Sequence, residues 1–196
     1  MNNEAIEKKI LEGCQNGKSE YQEKFYQLFY GKMMAIAMRY AKDADEAKDI
    51  LQEGFIKVFG SIKQFKGEGS LEGWVKRIMV NTAINFYNKN KKNNTTSFED
   101  NLVENNALEN QMTDEDLEDD SLNNLTYDEI LVFIRKLPPA YQTVFNLYVI
   151  EQYSHKEIAN LLHINEGTSK SNLAKARAKL QKMLNSYNNN QYVGEF

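Results

Sequence analysis

The sequence is short of residues that break helices and of residues that crosslink chains. Two prolines and ten glycines in 196 residues are too few for a turn-rich β fold, which leaves helices as the expectation. A single cysteine, Cys14, excludes an internal disulfide framework and a cysteine-built zinc site, and it reads as an inert packing residue. No run approaches the roughly 18 apolar residues that span a bilayer, so no membrane insertion is expected. The opening MNNEAIEKKI has no apolar stretch after its charges and does not read as a secretory signal. His155 and His163 have no carboxylate or cysteine arrangement beside them, so no metal site is expected. Nucleophile–base sets, paired catalytic carboxylates and phosphate-cradling glycine loops are also missing, which makes an enzyme the least favoured class and leaves no cofactor to expect. At 41% hydrophobic and 27% charged residues, the class that remains is a soluble, cytoplasmic, all-α protein.

Net charge is −4, which at first argues against a polyanionic partner. Its distribution reverses that impression. Residues 93–128 hold 11 acidic side chains and no basic one. Residues 1–92 hold 16 Lys/Arg against 12 Asp/Glu, and residues 129–196 hold 8 against 5. Two mildly basic blocks therefore flank a strongly acidic connector.

In the first block Tyr21, Phe25, Leu28, Phe29, Ile36 and Tyr40 recur at the spacing of one helix face. Ala47, Ile50, Leu51, Phe55 and Val58 repeat the pattern after a break at 42–45. The loop KQFKGEGS follows, and a further helix from about Leu71 to Lys91 buries Leu71, Val75, Ile78 and Thr82. The connector is rich in Asn, Asp and Glu and cannot bury enough apolar surface to offset its ordering entropy. The second block opens on a helix, enters another through Pro138 and Pro139, and turns Val144, Phe145, Leu147 and Tyr148 toward a core. The expected architecture is two helical domains, 1–92 and 127–184, joined by an acidic flexible linker at 93–126. Residues 185–196 read as a disordered tail.

Residues 154–184 carry the most specific local signal, a helix-turn-helix in the second domain. Ser154 and Glu157 form a capping box, after which Ile158, Ala159 and Leu162 point inward. The helix stops at His163-Ile164-Asn165, where a tight turn commonly wants positive φ, a region in which histidine is enriched among non-glycine residues. Asn165 can cap the next helix, with Glu166 in its first turn. At 100° per residue, Ser169, Leu173, Ala176, Leu180 and Leu184 share the packing side of that helix. Ser171, Ala174, Lys175, Ala178 and Lys182 face out, with Lys170 at the border. Small alanines allow deep seating in a major groove. The lysines reach phosphates or guanine edges, and Thr168 and Ser171 offer hydroxyls near the helix N-terminus.

The helix from Leu71 has an unusual second face. Trp74, Arg77, Asn81, Asn85, Asn88 and Lys92 recur at i+3 or i+4, a stripe that suits unstacked bases through a stacking plane and amide donors. With that stripe in place, three stretches in order, DEAKDILQEGFIKVF, SLEGWVKRIMVNTAIN and LPPAYQTVFNLYVIEQYSHKEIANLLHINEGTSKSNLAKARAKL, resemble the extracytoplasmic-function sigma factors of bacterial RNA polymerase. The resemblance covers about 20–92 and 126–184.

It implies a role for each block. Asp49, Gln52 and Glu53 stand where the family docks on core polymerase, built around its β and β′ subunits. Lys66 and the loop 66–70, with Trp74, Arg77, Asn81, Asn85 and Asn88, stand where the family recognises and melts the −10 promoter element. Thr168, Lys170, Ser171, Ala174 and Lys175 match the reader of the −35 element. The family is often silenced by an anti-sigma partner clamped between or around the two domains. Ser169 replaces the family's usual valine and Asn172 a common arginine, while Asn85 and Asn88 stand where an acidic residue and then arginine are usual. Each block has only a small positive excess, so its own electrostatic affinity for DNA is low. The connector's 34 residues reach at most about 110–120 Å but span about 30–35 Å as a coil, against roughly 70 Å between the two promoter elements. A polymerase that holds the connector extended in a basic channel would satisfy both figures. Two other readings stay open: a helix-turn-helix regulator working without polymerase, and a sigma-like interaction protein without promoter opening.

Overall fold

The computed structural model describes residues 3–93 and 126–192, and every regular element among them is helical. The acidic connector, apart from its two ends, and the last four residues of the tail lie outside the described residues. Two compact units divide the chain at Phe86/Tyr87, a boundary inside a helix. None of the described helices is long and apolar enough to cross a membrane.

The first unit contains α1 (Asn3–Gln15), α2 (Ser19–Tyr40), α3 (Ala44–Ser61) and most of α4 (Leu71–Asn93). Gly17 makes the turn into α2 at φ +74°, in the left-handed region where only glycine carries no steric penalty. Asp43 caps α3 by accepting from the Glu46 N–H at 2.8 Å, while the Glu46 carboxylate accepts from the Lys42 N–H at 2.7 Å. Phe25, Phe29, Met33 and Ile36 of α2 close over Ala47, Ile50, Leu51, Phe55 and Val58 of α3, all buried. Val75, Met79, Val80, Ala83 and Ile84 of α4 are buried with them. Gly54 leaves room for α4, since a Cβ there would lie 2.5 Å from the Met79 Sδ and Cε.

Leu28, expected inside, is 41% exposed. At 100° per residue it lies about 95° from the centre of the stripe that Phe25, Phe29, Met33 and Ile36 define, and Met33 fills the core position instead. Ile78 is half-buried, with its neighbours Met79 and Val80 taking the interior.

After α3 a single 3₁₀ turn, Ile62–Gln64, leads into the loop before α4. Gly67 and Gly69 both hold left-handed φ there, +79° and +86°. The loop is tied back to α1 by Gln15, whose Nε2 donates to the carbonyls of Ile62 and Phe65 at 3.2 and 3.1 Å. Lys32 of α2 is paired with Glu72 in the first turn of α4.

The second unit contains α5 (Tyr127–Arg135), α6 (Pro139–Phe145), a wide π turn at Asn146–Ile150, α7 (His155–Leu162) and α8 (Glu166–Tyr192). A capping box at Thr126 and Glu129 starts α5, and Pro139 occupies the first turn of α6 as the sequence suggests. Leu131, Ile134, Leu137, Val144, Leu147, Ile158, Leu162, Leu173, Ala176 and Leu184 make the core. Phe145 and Tyr148 are only half-buried, and Tyr148 lies within the π turn, where the helical register shifts.

The disordered tail expected from residue 185 is corrected as far as Tyr192. α8 runs on without a break, and Tyr187 packs edge-on against Phe133 with ring centroids 5.5 Å apart. Its hydroxyl donates to Glu129 Oε1 at 2.8 Å. An aromatic anchor four residues beyond Met183 keeps the asparagine-rich end helical despite its poor propensity.

Candidate functional site

Three polar faces stand out, each on a helix whose opposite side is buried. On α3, Asp49 and Gln52 are exposed and Glu53 is half-buried. Their angular centre lies about 180° from that of Ala47, Ile50, Leu51, Gly54, Phe55 and Val58, so the helix cannot bury one set without presenting the other. Glu53 is held by Lys57, whose Nζ lies 2.6 Å from its Oε1 and 3.4 Å from the hydroxyl of buried Thr82 on α4. Ile56 falls on the same stripe and is 63% exposed, a residue the sequence reading missed. An isoleucine at i+7 from Asp49 in an otherwise polar row is the signal that would have found it.

On α4, Arg77, Asn81 and Asn85 are exposed along one side. Trp74, at the head of that stripe, is half-buried, with its ring 5.4 Å from that of Phe65 and tilted 47°. One part of the indole is thus spent on the loop, and the rest faces outward. Ser70 starts the helix by accepting from the Gly73 N–H at 3.3 Å, which places exposed Lys66 and the two left-handed glycines directly before the stripe. Asn88 is half-buried on the part of α4 that belongs to the second unit.

In the second unit, the turn between α7 and α8 has the expected construction. The Ser154 N–H donates to Glu157 Oε2 at 2.8 Å, and the Ser154 Oγ accepts from the Glu157 N–H at 3.3 Å. The Ser154 hydroxyl, which donates to Glu157 Oε2 at 2.7 Å, and then the Ser154 N–H hold the Glu157 carboxyl below the usual carboxylate range. Glu129 is likewise lowered, by bonds from Thr126 and Tyr187. His163 closes α7 in the left-handed conformation, φ 53° and ψ 49°. Asn165 caps α8 by accepting from the Thr168 N–H at 2.6 Å. Lys170, Ser171 and Ala174 are exposed on the outer side of α8; Thr168 and Lys175 are half-buried at its edges. The Ser171 hydroxyl donates to the Thr168 carbonyl at 3.1 Å, which leaves its lone pairs facing out as acceptors. Cys14 is buried and its thiol is pushed up to about 11 by desolvation, so it offers no reactive thiolate.

Such an arrangement binds and positions. Small and cationic groups line one helix, amides and an arginine line another, and an acid–amide row with one isoleucine lines the third. Residues 25–93 match the family model Sigma-70 region 2, and residues 122–180 match Sigma-70, region 4. Among curated relatives, the ECF RNA polymerase sigma factor SigW of Bacillus subtilis is 31% identical over 187 residues, covering 90% of this chain and 94% of that one. The ECF RNA polymerase sigma-E factor of Haemophilus influenzae is 26% identical, with 92% of this chain and 96% of that one covered. The RNA polymerase sigma-H factor of Pseudomonas aeruginosa is also 26% identical, with 91% and 93% covered. Two sigma-70 regions in order, over nearly the whole length of these relatives, settle the family. This chain is an ECF RNA polymerase sigma factor: it binds core RNA polymerase and promoter DNA and directs the enzyme to promoters without catalysing a reaction itself.

Proposed function

We propose a division of labour among the three faces. The α3 row of Asp49, Gln52 and Glu53, extended by Ile56, docks on core polymerase. The α4 stripe of Trp74, Arg77, Asn81 and Asn85, with Lys66 before it, takes up the −10 element as it opens and captures an unstacked base. Thr168, Lys170, Ser171, Ala174 and Lys175 on α8 read the −35 element in the major groove. The factor works in the cytoplasm with the transcription machinery.

The observation that carries this reading is that each face is exposed while the other side of its helix is locked in a core. Each patch therefore has a fixed direction before any partner arrives, which lowers the ordering cost of docking. The charge balance supports the same division. A small cationic excess in each unit gives weak, salt-sensitive DNA affinity, so stable promoter binding draws on the polymerase to orient both units.

Transcription with core polymerase, combined with permanganate mapping of unpaired thymines, tests the assignment. A Gln52→Ala/Glu53→Ala variant should lose core binding. Arg77→Ala/Asn81→Ala should keep core binding and promoter contact but lose thymine reactivity. Lys170→Ala/Lys175→Ala should lose dependence on the −35 sequence. Full open-complex formation by the second variant would refute the α4 assignment.

A further inference from the structure

Ser169 is a polar residue set in apolar packing. It has 0% exposed surface and shares the inner side of α8 with Leu173 and Ala176. Its Oγ lies 2.8 Å from Nδ1 of His155, the first residue of α7. That imidazole is stacked on Tyr148 of the π turn, centroids 4.5 Å apart and planes within 21°. The backbone of His155 is fixed in turn by the Ser154–Glu157 capping box immediately before it. The histidine ring therefore has its position set from both sides before it meets the serine.

We infer that His155 and Ser169 are a positioning pair that fixes the rotation and depth of α8 in the DNA groove, and through it the base preference of the upstream promoter element. This rests on the reading of α8 given above. Ile158 and Leu162 of α7 and Leu173 and Ala176 of α8 are buried around it, and apolar packing is not directional. A hydrogen bond is directional, and this one sits one residue before Lys170 and two before Ser171. A rotation of α8 by about 20° would carry a side chain at its outer radius of about 5–6 Å through about 2 Å. That exceeds the tolerance of a base-edge hydrogen bond. The serine also explains why a β-branched apolar residue is missing from this inner position. Its hydroxyl takes the histidine.

The test uses the full chain with core polymerase on promoters whose −35 element is randomised. The readout is the ratio of transcripts from the preferred base to those from the other three at each position. Ser169→Ala and His155→Phe each remove the bond, the second keeping an aromatic ring against Tyr148. Each should lower the ratio about tenfold at one or more positions, the range expected when one base-edge contact is misplaced. The double variant should be no worse than either single, because both act on one bond. A merely structural pair would lower melting temperature and total transcript while leaving the ratios unchanged, and that result would overturn the proposal. Lys170→Ala separates the two levels of inference. If it collapses the ratios while the pair variants stay within twofold of wild type, the positioning role alone is refuted. If it too leaves the ratios unchanged, the reading of α8 fails and this proposal with it. Should His155→Phe not fold, Ser169→Ala carries the test by itself.

Discussion

Gly54→Ala probes the packing that gives α3 and α4 their directions. A methyl at this position would lie 2.5 Å from the Met79 Sδ and Cε, against about 3.5–4.0 Å for an ordinary contact, so about 1 Å must be absorbed. Met79 is fully buried, and its thioether has no solvent to retreat into. Overpacking of this kind costs about 1–3 kcal/mol, and the better helix propensity of alanine returns about 1 kcal/mol. The expected net loss is about 0–2 kcal/mol. Met79→Ala alone should cost about 2–5 kcal/mol through the cavity it leaves. On that background the new methyl enters vacated space, and Gly54→Ala should become neutral or stabilising by up to about 1 kcal/mol. Trp74 is the only tryptophan and lies in the first unit, so urea titration followed by its emission reports that unit selectively. An equal cost of Gly54→Ala in both backgrounds would refute the argument, because it would separate the glycine from the methionine.

Further expectations follow from the second unit and from Cys14. Ser154→Ala should destabilise α7 by about 1 kcal/mol, read as roughly fivefold faster amide exchange in its first turn. Glu129 and Glu157 have folded pKa values below their unfolded ones, so their stabilisation is complete above about pH 4.5 and is lost as pH falls through the lowered values. Acid titration of the second unit by circular dichroism should show this loosening, and Glu129→Gln/Glu157→Gln should flatten it. With a thiol pKa of about 11, Cys14 should react with a thiol reagent at pH 8 at least about a hundredfold more slowly in the native chain than in urea. Lys170→Ala and Lys175→Ala should each lower the salt-dependence slope of promoter binding by about one. An unchanged slope would show that neither lysine meets a phosphate.

Capping chemistry was the most legible part of the fold, because its determinants are three residues apart. Ser154 with Glu157, Asn165 before Glu166, and His163 at the turn could all be placed from side-chain chemistry alone. That the three polar rows each share a helix face was legible for a related reason: angular spacing on one helix is fixed by 3.6 residues per turn, whatever the helix packs against. What escaped needed tertiary knowledge. Leu28 is as apolar as Met33, and only the choice of neighbour decides which of the two faces inward. The asparagines after Leu184 argue against helix, and Tyr187 overrides them through Phe133 and Glu129, which lie more than fifty residues away. Ser169 looked like a weak substitute for an apolar residue until His155 supplied its partner. Ile56 was passed over because an amphipathic pattern tolerates one stray isoleucine, and exposure is what singles it out.

Gln15 sits at the end of α1, far in sequence from any residue assigned to promoter or polymerase, yet its amide fastens the chain on which Lys66 and the two left-handed glycines are mounted. Shortening the chain from its amino end would therefore leave two carbonyl groups at Ile62 and Phe65 without their donor and slacken the hinge into α4. On the proposed assignment, a trimmed variant would still recruit polymerase through α3 and yet be slow to separate the DNA strands, a defect easily blamed on the wrong helix.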